Sequence, residues 1–221
     1  MTQTVFIDGA AGTTGLEIAQ RLAPRSEFKL LVLDEEQRKS AAARRDAYHA
    51  ANFAVLCLPD DAAIEAVGLA EGSNVRIVDA SSAHRTSAGW TYGFPELIGR
   101  DKVAAADRVS NPGCYPTGFL ALLAPLVRKG LLPGDWPYTC HAVSGYSGGG
   151  KALIARFEED RDIAFRDYGL ALGHKHVPEM QRYADLAHAP LFAPAVIPAH
   201  RGMVVEVPLH LGLMARAAPT D

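Results

Sequence analysis

The sequence predicts an α/β protein in two parts. Residues 1–113 are expected to form a parallel, doubly wound sheet, and residues 114–221 an α+β domain with a mixed sheet. Three observations carry this expectation. The chain opens on a short apolar run that passes straight into a glycine-rich turn and an amphipathic segment. Near-continuous apolar runs then alternate with helical patterns, as strands buried on both faces do. Near Cys114 that alternation gives way to longer, more strand-rich spacing.

Thr4–Ile7 is the first strand, followed by GAAGTTG (Gly9–Gly15) and a helical pattern over Leu16–Leu22. Glycines at such a turn allow close backbone approach to a pyrophosphate seated on the helix N-terminus, so Gly9, Gly12, Thr13, Thr14 and Gly15 are candidate cofactor-binding residues of a Rossmann-like domain. The spacing is GxxGxxG rather than GxGxxG, and a glycine turn with no ligand is the bland alternative. Phe28–Leu33 reads as a second strand ending at Asp34, where an acidic residue would hold a ribose hydroxyl and favour NAD. Arg38 and Lys39 follow at once and offer a 2′-phosphate a partner, unless they belong to the solvated face of the next helix. The local residues leave NAD and NADP both open.

Phe53–Leu58 is a buried strand pattern containing Cys57, and Pro59-Asp60-Asp61 opens a helix running to about Leu69. Val75–Asp79 is a further strand. It opens into Ser81-Ser82-Ala83-His84-Arg85 at a carboxyl end, where ligands gather in such sheets. Ser81 is therefore a cofactor candidate, and Arg85 a candidate clamp for a carboxylate or phosphate.

NPGCYPT (Asn111–Thr117) precedes an apolar segment, Gly118–Val127, that ends in Arg128-Lys129-Gly130. Pro116 suits a first helical turn and Gly130 a helix end. Cys114 is thus placed at a helix N-terminus, a setting that favours a thiolate and marks a candidate nucleophile. A buried structural cysteine is the alternative.

Tyr138–Val143 reads as a strand leading into the glycine-rich Ser144–Lys151, which is not a Walker loop because Ala152 follows Lys151. HKHVPEM (His174–Met180) places two histidines just before a helix start, suited to proton transfer near neutral pH. The HxH pair with Glu179 lacks a fourth ligand and fits no standard zinc spacing, so no metal is expected. Pro194–Leu211 reads as two strands around a His-Arg-Gly turn, with Val205, Val207, Leu209 and Leu211 alternating against polar positions.

The 221 residues are 48% hydrophobic and 21% charged, with net charge −3, which gives no electrostatic reason to bind nucleic acid or an anionic membrane. No apolar run reaches the roughly 18 residues of a membrane span. The opening residues lack the basic region of a signal peptide. Three cysteines without close spacing argue against a disulfide framework and for a reducing compartment, so a cytoplasmic location is expected.

Together GAAGTTG, CLPDD, NPGCYPT, AVSGYSGGGK, HKHVPEM and HRGM resemble the N-acetyl-gamma-glutamyl-phosphate reductase family in its shorter form. The resemblance implies a semialdehyde dehydrogenase-like fold with an NADP-binding first domain and a catalytic, oligomerising second one. It implies NADPH-dependent reduction of an acyl phosphate to an aldehyde in arginine biosynthesis. In that chemistry the Cys114 thiolate displaces phosphate, and hydride reduces the resulting thioester to a thiohemiacetal, which collapses to N-acetylglutamate semialdehyde. His174 aligns best with the family's acid/base histidine, with His176 contacting substrate. Tyr168, Glu179, Arg85, Arg201 and Ser144 are candidates for holding substrate groups, and Arg38 is assigned to NADP. A homodimer or homotetramer is expected.

The family's members continue with further strands and a C-terminal helix, so the resemblance also implies that this chain lacks that segment. A nucleotide-binding remnant without turnover, or a related semialdehyde dehydrogenase, are the alternatives.

Overall fold

A computed structural model describes residues 2–214. The chain divides into two compact units, residues 1–112 and 113–221.

The first unit is built on a six-stranded sheet in which every pairing is parallel. Its strands are β1 (Gln3–Asp8), β2 (Phe28–Leu31), β3 (Phe53–Leu56), β4 (Arg76–Asp79), β5 (Thr91–Tyr92) and β6 (Arg108–Ser110), in spatial order β2-β1-β3-β4-β6-β5. The crossovers carry α1 (Thr13–Leu22), α2 (Ala41–Ala50), α3 (Asp60–Leu69), α4 (Pro95–Ile98) and α5 (Arg100–Ala105). Phe6, Tyr48, Ala54, Leu56, Ala63, Ala66 and Ile77 form one buried cluster, which is why the strands read as unbroken apolar runs. The chain leaves β1 toward β2 on one side and later returns to β3 on the other. The gap at the carboxyl ends of β1 and β3 is therefore the switch point, where ligands bind in such sheets.

Three sequence expectations shift here. The second strand ends at Leu31 rather than Leu33, and Val32 is exposed. Arg38 and Lys39 lie in a single 3-10 turn, Gln37–Lys39, and not on α2. Asp34 creates that turn: its Oδ1 accepts from the amides of Glu36 (3.0 Å) and Gln37 (2.8 Å). Cys57 lies one residue beyond β3 and is only half-buried, so it is not a core residue of the strand.

The second unit holds a four-stranded mixed sheet in order β10-β7-β9-β8, formed by β7 (Thr139–Gly145), β8 (Arg166–Asp167), β9 (Leu191–Ile197) and β10 (Met203–Glu206). β7 and β9 are parallel, and the two outer pairings are antiparallel. Helices α6 (Cys114–Arg128), α7 (Gly150–Glu159), α8 (Val177–Tyr183) and α9 (Leu211–Met214) complete the unit. Gly118 lets α6 lie close on β10, because a Cβ there would meet Val205 Cγ2 at 2.7 Å.

The two final strands exist as expected, but they do not pair with each other. β7 lies between them, and residues 198–202 cross its end: the amides of Gly145, Tyr146 and Ser147 donate to Gly202, Ala199 and His200 carbonyls. The expected alternation also stops early. β10 ends at Glu206, and Leu211 opens α9.

Candidate functional site

At the switch point of the first unit, Gly9 has φ +88°, and a Cβ there would lie 2.3 Å from the Cys57 carbonyl oxygen. Gly15 is equally constrained, with a Cβ position 2.4 Å from Gly9 O. Both glycines thus allow the turn to fold onto β3 and onto itself. Gly12 differs: it is the N-cap of α1, in ordinary extended backbone, with nothing closer than 3.4 Å to its Cβ position. No side chain caps α1, so the amides of its first turn, from Thr13 and Thr14, face outward from a helix N-terminus.

A cavity of about 550 Å³ opens beside this turn. Gly9, Gly12, Leu33, Arg38, Leu58 and Pro59 are among its lining residues, together with Asp8 and Arg44. Its apolar walls suit a nucleoside, and Arg38 adds an exposed cation paired with Glu35 at 3.2 Å. The cradle, the uncapped helix and the cation fit a dinucleotide phosphate.

Ser81 and Arg85 lie at the carboxyl end of β4, as expected, but their polar atoms brace the loop itself. Ser81 Oγ donates to the buried Asp79 at 2.7 Å, and Asp79 also meets His84 Nδ1 at 2.6 Å. Arg85 is buried and donates to the carbonyls of Asn111 (3.0 Å) and Ala80 (3.3 Å). Asp60 adds a third tie, accepting from the amide and hydroxyl of Ser82. A loop held at so many points is rigid scaffolding. Sequence inspection gave no sign of it, because the carboxylates involved stand at a strand end and a helix start.

In the second unit, Cys114 is the first residue of α6 and is exposed. Tyr115, beside it, is buried; its hydroxyl approaches Ser144 Oγ (2.7 Å) and the Ala195 carbonyl (3.3 Å) and accepts from Tyr168 OH (3.3 Å). Burial raises both tyrosines above the ordinary phenol value, so they act as neutral hydrogen-bonding groups. Ser144 is thereby joined to this hydroxyl chain. Tyr115 was not singled out in the sequence, although its place next to the cysteine was a usable signal.

His174 and His176 precede α8, as HKHVPEM predicted, and their rings pack edge to face at 4.5 Å. His174 Nδ1 accepts from the His176 amide (3.2 Å), which fixes the donor and acceptor sense of that ring nitrogen. Tyr168 packs on His174 and Tyr115 on His176, with centroids 5.7 and 5.9 Å apart. Cys114's neighbour and both histidines therefore share one aromatic cluster with Phe192.

Glu179 is 1% exposed, and its Oε2 accepts from the Gly113 amide at 3.1 Å. It faces the backbone just before the cysteine. Arg201 lies on the exposed crossing loop that packs against Gly145. Gly145 and Gly149 are explained by such packing, against Ala199 O and the Leu153 side chain.

A glycine turn at the switch point of one unit, and in the other a helix-start cysteine whose neighbour Tyr115 packs on a histidine pair, are features expected of a nucleotide-dependent dehydrogenase of the thiol-bearing kind. Residues 4–106 match the model for the semialdehyde dehydrogenase NAD-binding domain, and residues 114–218 that for the semialdehyde dehydrogenase dimerisation domain. Among solved structures, aspartate semialdehyde dehydrogenase II from Vibrio cholerae, complexed with ASA, covers 94% of this chain and 74% of its own at TM-score 0.71. At 15% identity the likeness is one of fold.

Among curated relatives, N-acetyl-gamma-glutamyl-phosphate reductase of Burkholderia cenocepacia is 52% identical over 217 residues, spanning 96% of this chain and 69% of the relative. That of Trichormus variabilis is 51% identical, spanning 94% and 67%. The chain belongs to the N-acetyl-gamma-glutamyl-phosphate reductase family.

Proposed function

We propose that the protein catalyses NADPH-dependent reduction of N-acetylglutamyl 5-phosphate to N-acetylglutamate 5-semialdehyde and phosphate, a step of arginine biosynthesis. The observation that carries this is Cys114, exposed at the N-terminus of α6 in the same unit as the packed His174–His176 pair.

Cys114 is the nucleophile. Its thiolate attacks the acyl carbon and the phosphate leaves, forming a thioester whose carbonyl oxygen collects charge when reduced. NADPH, when bound, supplies the hydride. His174 is the acid/base: it gives a proton to the developing oxygen and recovers it as the thiohemiacetal collapses and frees the thiolate. His174 Nδ1 is occupied by the His176 amide, which leaves Nε2 as the atom for this transfer. His176 and Arg201 are assigned to the substrate, and Tyr168 orients His174 through ring packing.

Residues 1–112 are the cofactor-binding unit, in which Gly12, Thr13 and Thr14 receive the pyrophosphate and Arg38 the 2′-phosphate. The second unit makes the contact between subunits of a homodimer or homotetramer, consistent with the dimerisation-domain match. A cytoplasmic location fits a substrate and cofactor of central metabolism, and no helix among the described residues is long and apolar enough to cross a membrane.

The test is phosphate-dependent oxidation of N-acetylglutamate semialdehyde with NADP, by this chain beside Cys114→Ala. Turnover that vanishes in the variant is the expected result. The chain spans 69% of the Burkholderia relative. NADPH binding without turnover in either protein would instead identify a nucleotide-binding piece of the enzyme.

A further inference from the structure

We infer that Glu179 is a positioning residue that fixes the Cys114 nucleophile in register with the histidine pair, and that it is not a substrate contact. The inference rests on the catalytic roles proposed above for Cys114 and His174.

Gly113 is held through both of the peptide units that flank its Cα. Its N–H donates to the buried Glu179 carboxylate at 3.1 Å. Its C=O accepts from the Thr117 amide at 3.0 Å and from Thr117 Oγ1 at 2.8 Å. Gly113 is the N-cap of α6 and has no side chain with which to cap its own helix. Cys114 follows directly, so the orientation of its Cα–Cβ bond is set by two successive peptide planes, the first held by Glu179 and the second by Thr117.

Glu179 stands in the first turn of α8, three residues after His176 and five after His174. In that position a glutamate ordinarily turns back to cap its own helix. Here Oε2 reaches across to α6 instead. One carboxylate thereby ties the backbone carrying the nucleophile to the backbone carrying the acid/base. A hydrogen bond with 1% exposure is stronger than its exposed counterpart and geometrically exacting. Misplacement of a reacting group by roughly 1 Å costs on the order of 100-fold in rate.

The experiment compares wild type, Glu179→Gln and Glu179→Ala in the semialdehyde oxidation assay. In parallel it measures the rate at which iodoacetamide alkylates Cys114. Loss of positioning lowers kcat by roughly 30- to 100-fold in Glu179→Ala, with KM within about threefold, because only transition-state geometry is lost. Glu179→Gln retains a carbonyl acceptor and recovers kcat to within about tenfold of wild type. Cys114 alkylation follows the same order of variants.

A large rise in KM with kcat preserved would make Glu179 a substrate contact and overturn the inference. So would variants that change only the melting temperature. If the wild-type chain shows no turnover, alkylation alone decides: equal Cys114 rates in all three proteins refute the positioning role independently of the function proposed. If Glu179→Ala does not fold, Thr117→Val removes the other side-chain hold on Gly113. It must then slow turnover and alter Cys114 alkylation without raising KM, and unchanged values overturn the inference.

Discussion

One carboxylate oxygen of Asp8, Oδ2, accepts from both Nε and Nη2 of Arg44, at 3.1 and 3.0 Å, in the interior of the first unit. The same oxygen accepts from Tyr48 OH at 2.5 Å, and Arg44 Nη1 reaches Glu65 at 3.0 Å. Asp8 ends β1 immediately before Gly9, so this network anchors the strand from which the glycine turn departs. Asp8 is 4% exposed and Arg44 9%.

Removing one partner of a buried ion pair leaves an uncompensated charge and costs about 3–5 kcal/mol. Arg44→Met, which keeps the apolar stem, is expected to lose that much in urea unfolding. The double variant Asp8→Asn/Arg44→Met should lose less than the sum of the singles, since both remove the same interaction. A loss under about 1 kcal/mol in Arg44→Met would show that the pair does not hold the strand end.

The glycine turn separates fold from ligand binding. Gly9→Ala places a Cβ 2.3 Å from a backbone oxygen at φ +88° and is expected to destabilise the first unit sharply. Gly12→Ala meets nothing inside 3.4 Å and should leave the melting temperature nearly unchanged. Its methyl group does, however, stand at the uncapped N-terminus of α1, and NADPH binding is expected to weaken by tenfold or more. Calorimetric unfolding and NADPH titration of both variants check the contrast. Unaltered NADPH affinity in Gly12→Ala would remove this turn from the cofactor site.

How much of this was legible in the sequence depends on the range of the interactions. The GAAGTTG turn, the helix start at Cys114 and the histidines ahead of Pro178 are local features, in which neighbouring residues determine the backbone. The order of the second sheet was not legible. β9 and β10 are neighbours in sequence with a turn between them, yet β7, more than 45 residues earlier, pairs with both. Long-range partners were equally hidden: Glu179 with Gly113, Arg85 with Asn111, and Asp8 with Arg44. In each case the charged residue carries the chemistry of a ligand site, and only the fold reveals that a backbone group or an opposite charge already occupies it.

The three cysteines differ in exposure, and burial weakens two of them as acids. Burial pushes the Cys57 thiol up to about 11 and that of Cys140 up to about 12, from an ordinary value of 9, while Cys114 is exposed. At pH 8 iodoacetamide is expected to react first with Cys114, more slowly with the half-buried Cys57, and with Cys140 only on unfolding. Each raised value also means that the protonated thiol is favoured in the folded state. That stabilisation is complete below about pH 9 and is lost as pH rises toward 11–12. The buried tyrosines Tyr48, Tyr115 and Tyr168, all raised by burial from 10, act in the same direction at higher pH. The melting temperature should therefore hold steady to about pH 9 and fall beyond it. A flat profile to pH 11, or rapid labelling of Cys140 in the folded protein, would contradict the burial on which this depends.

Arg38 decides the cofactor if its guanidinium receives a 2′-phosphate. It lines the cavity beside the glycine turn and is exposed, with Glu35 as its partner at 3.2 Å. Asp34, the usual ribose ligand in NAD enzymes, spends Oδ1 on the Gln37–Lys39 turn that carries Arg38. The acidic residue thus shapes the loop that presents the cation. A hydrogen bond to a charged group contributes about 1.5–3 kcal/mol, or roughly 10- to 100-fold in affinity. Arg38→Ala is therefore expected to raise KM for NADPH by roughly that factor and to leave KM for NADH unchanged. Glu35→Gln frees the guanidinium from a competing carboxylate and should lower KM for NADPH by a smaller amount. Rising salt should weaken NADPH binding in wild type more than in Arg38→Ala. Steady-state kinetics with both cofactors provide the check. An equal loss with NADPH and NADH would assign Arg38 to the shape of the loop, and no loss with either would place the 2′-phosphate elsewhere.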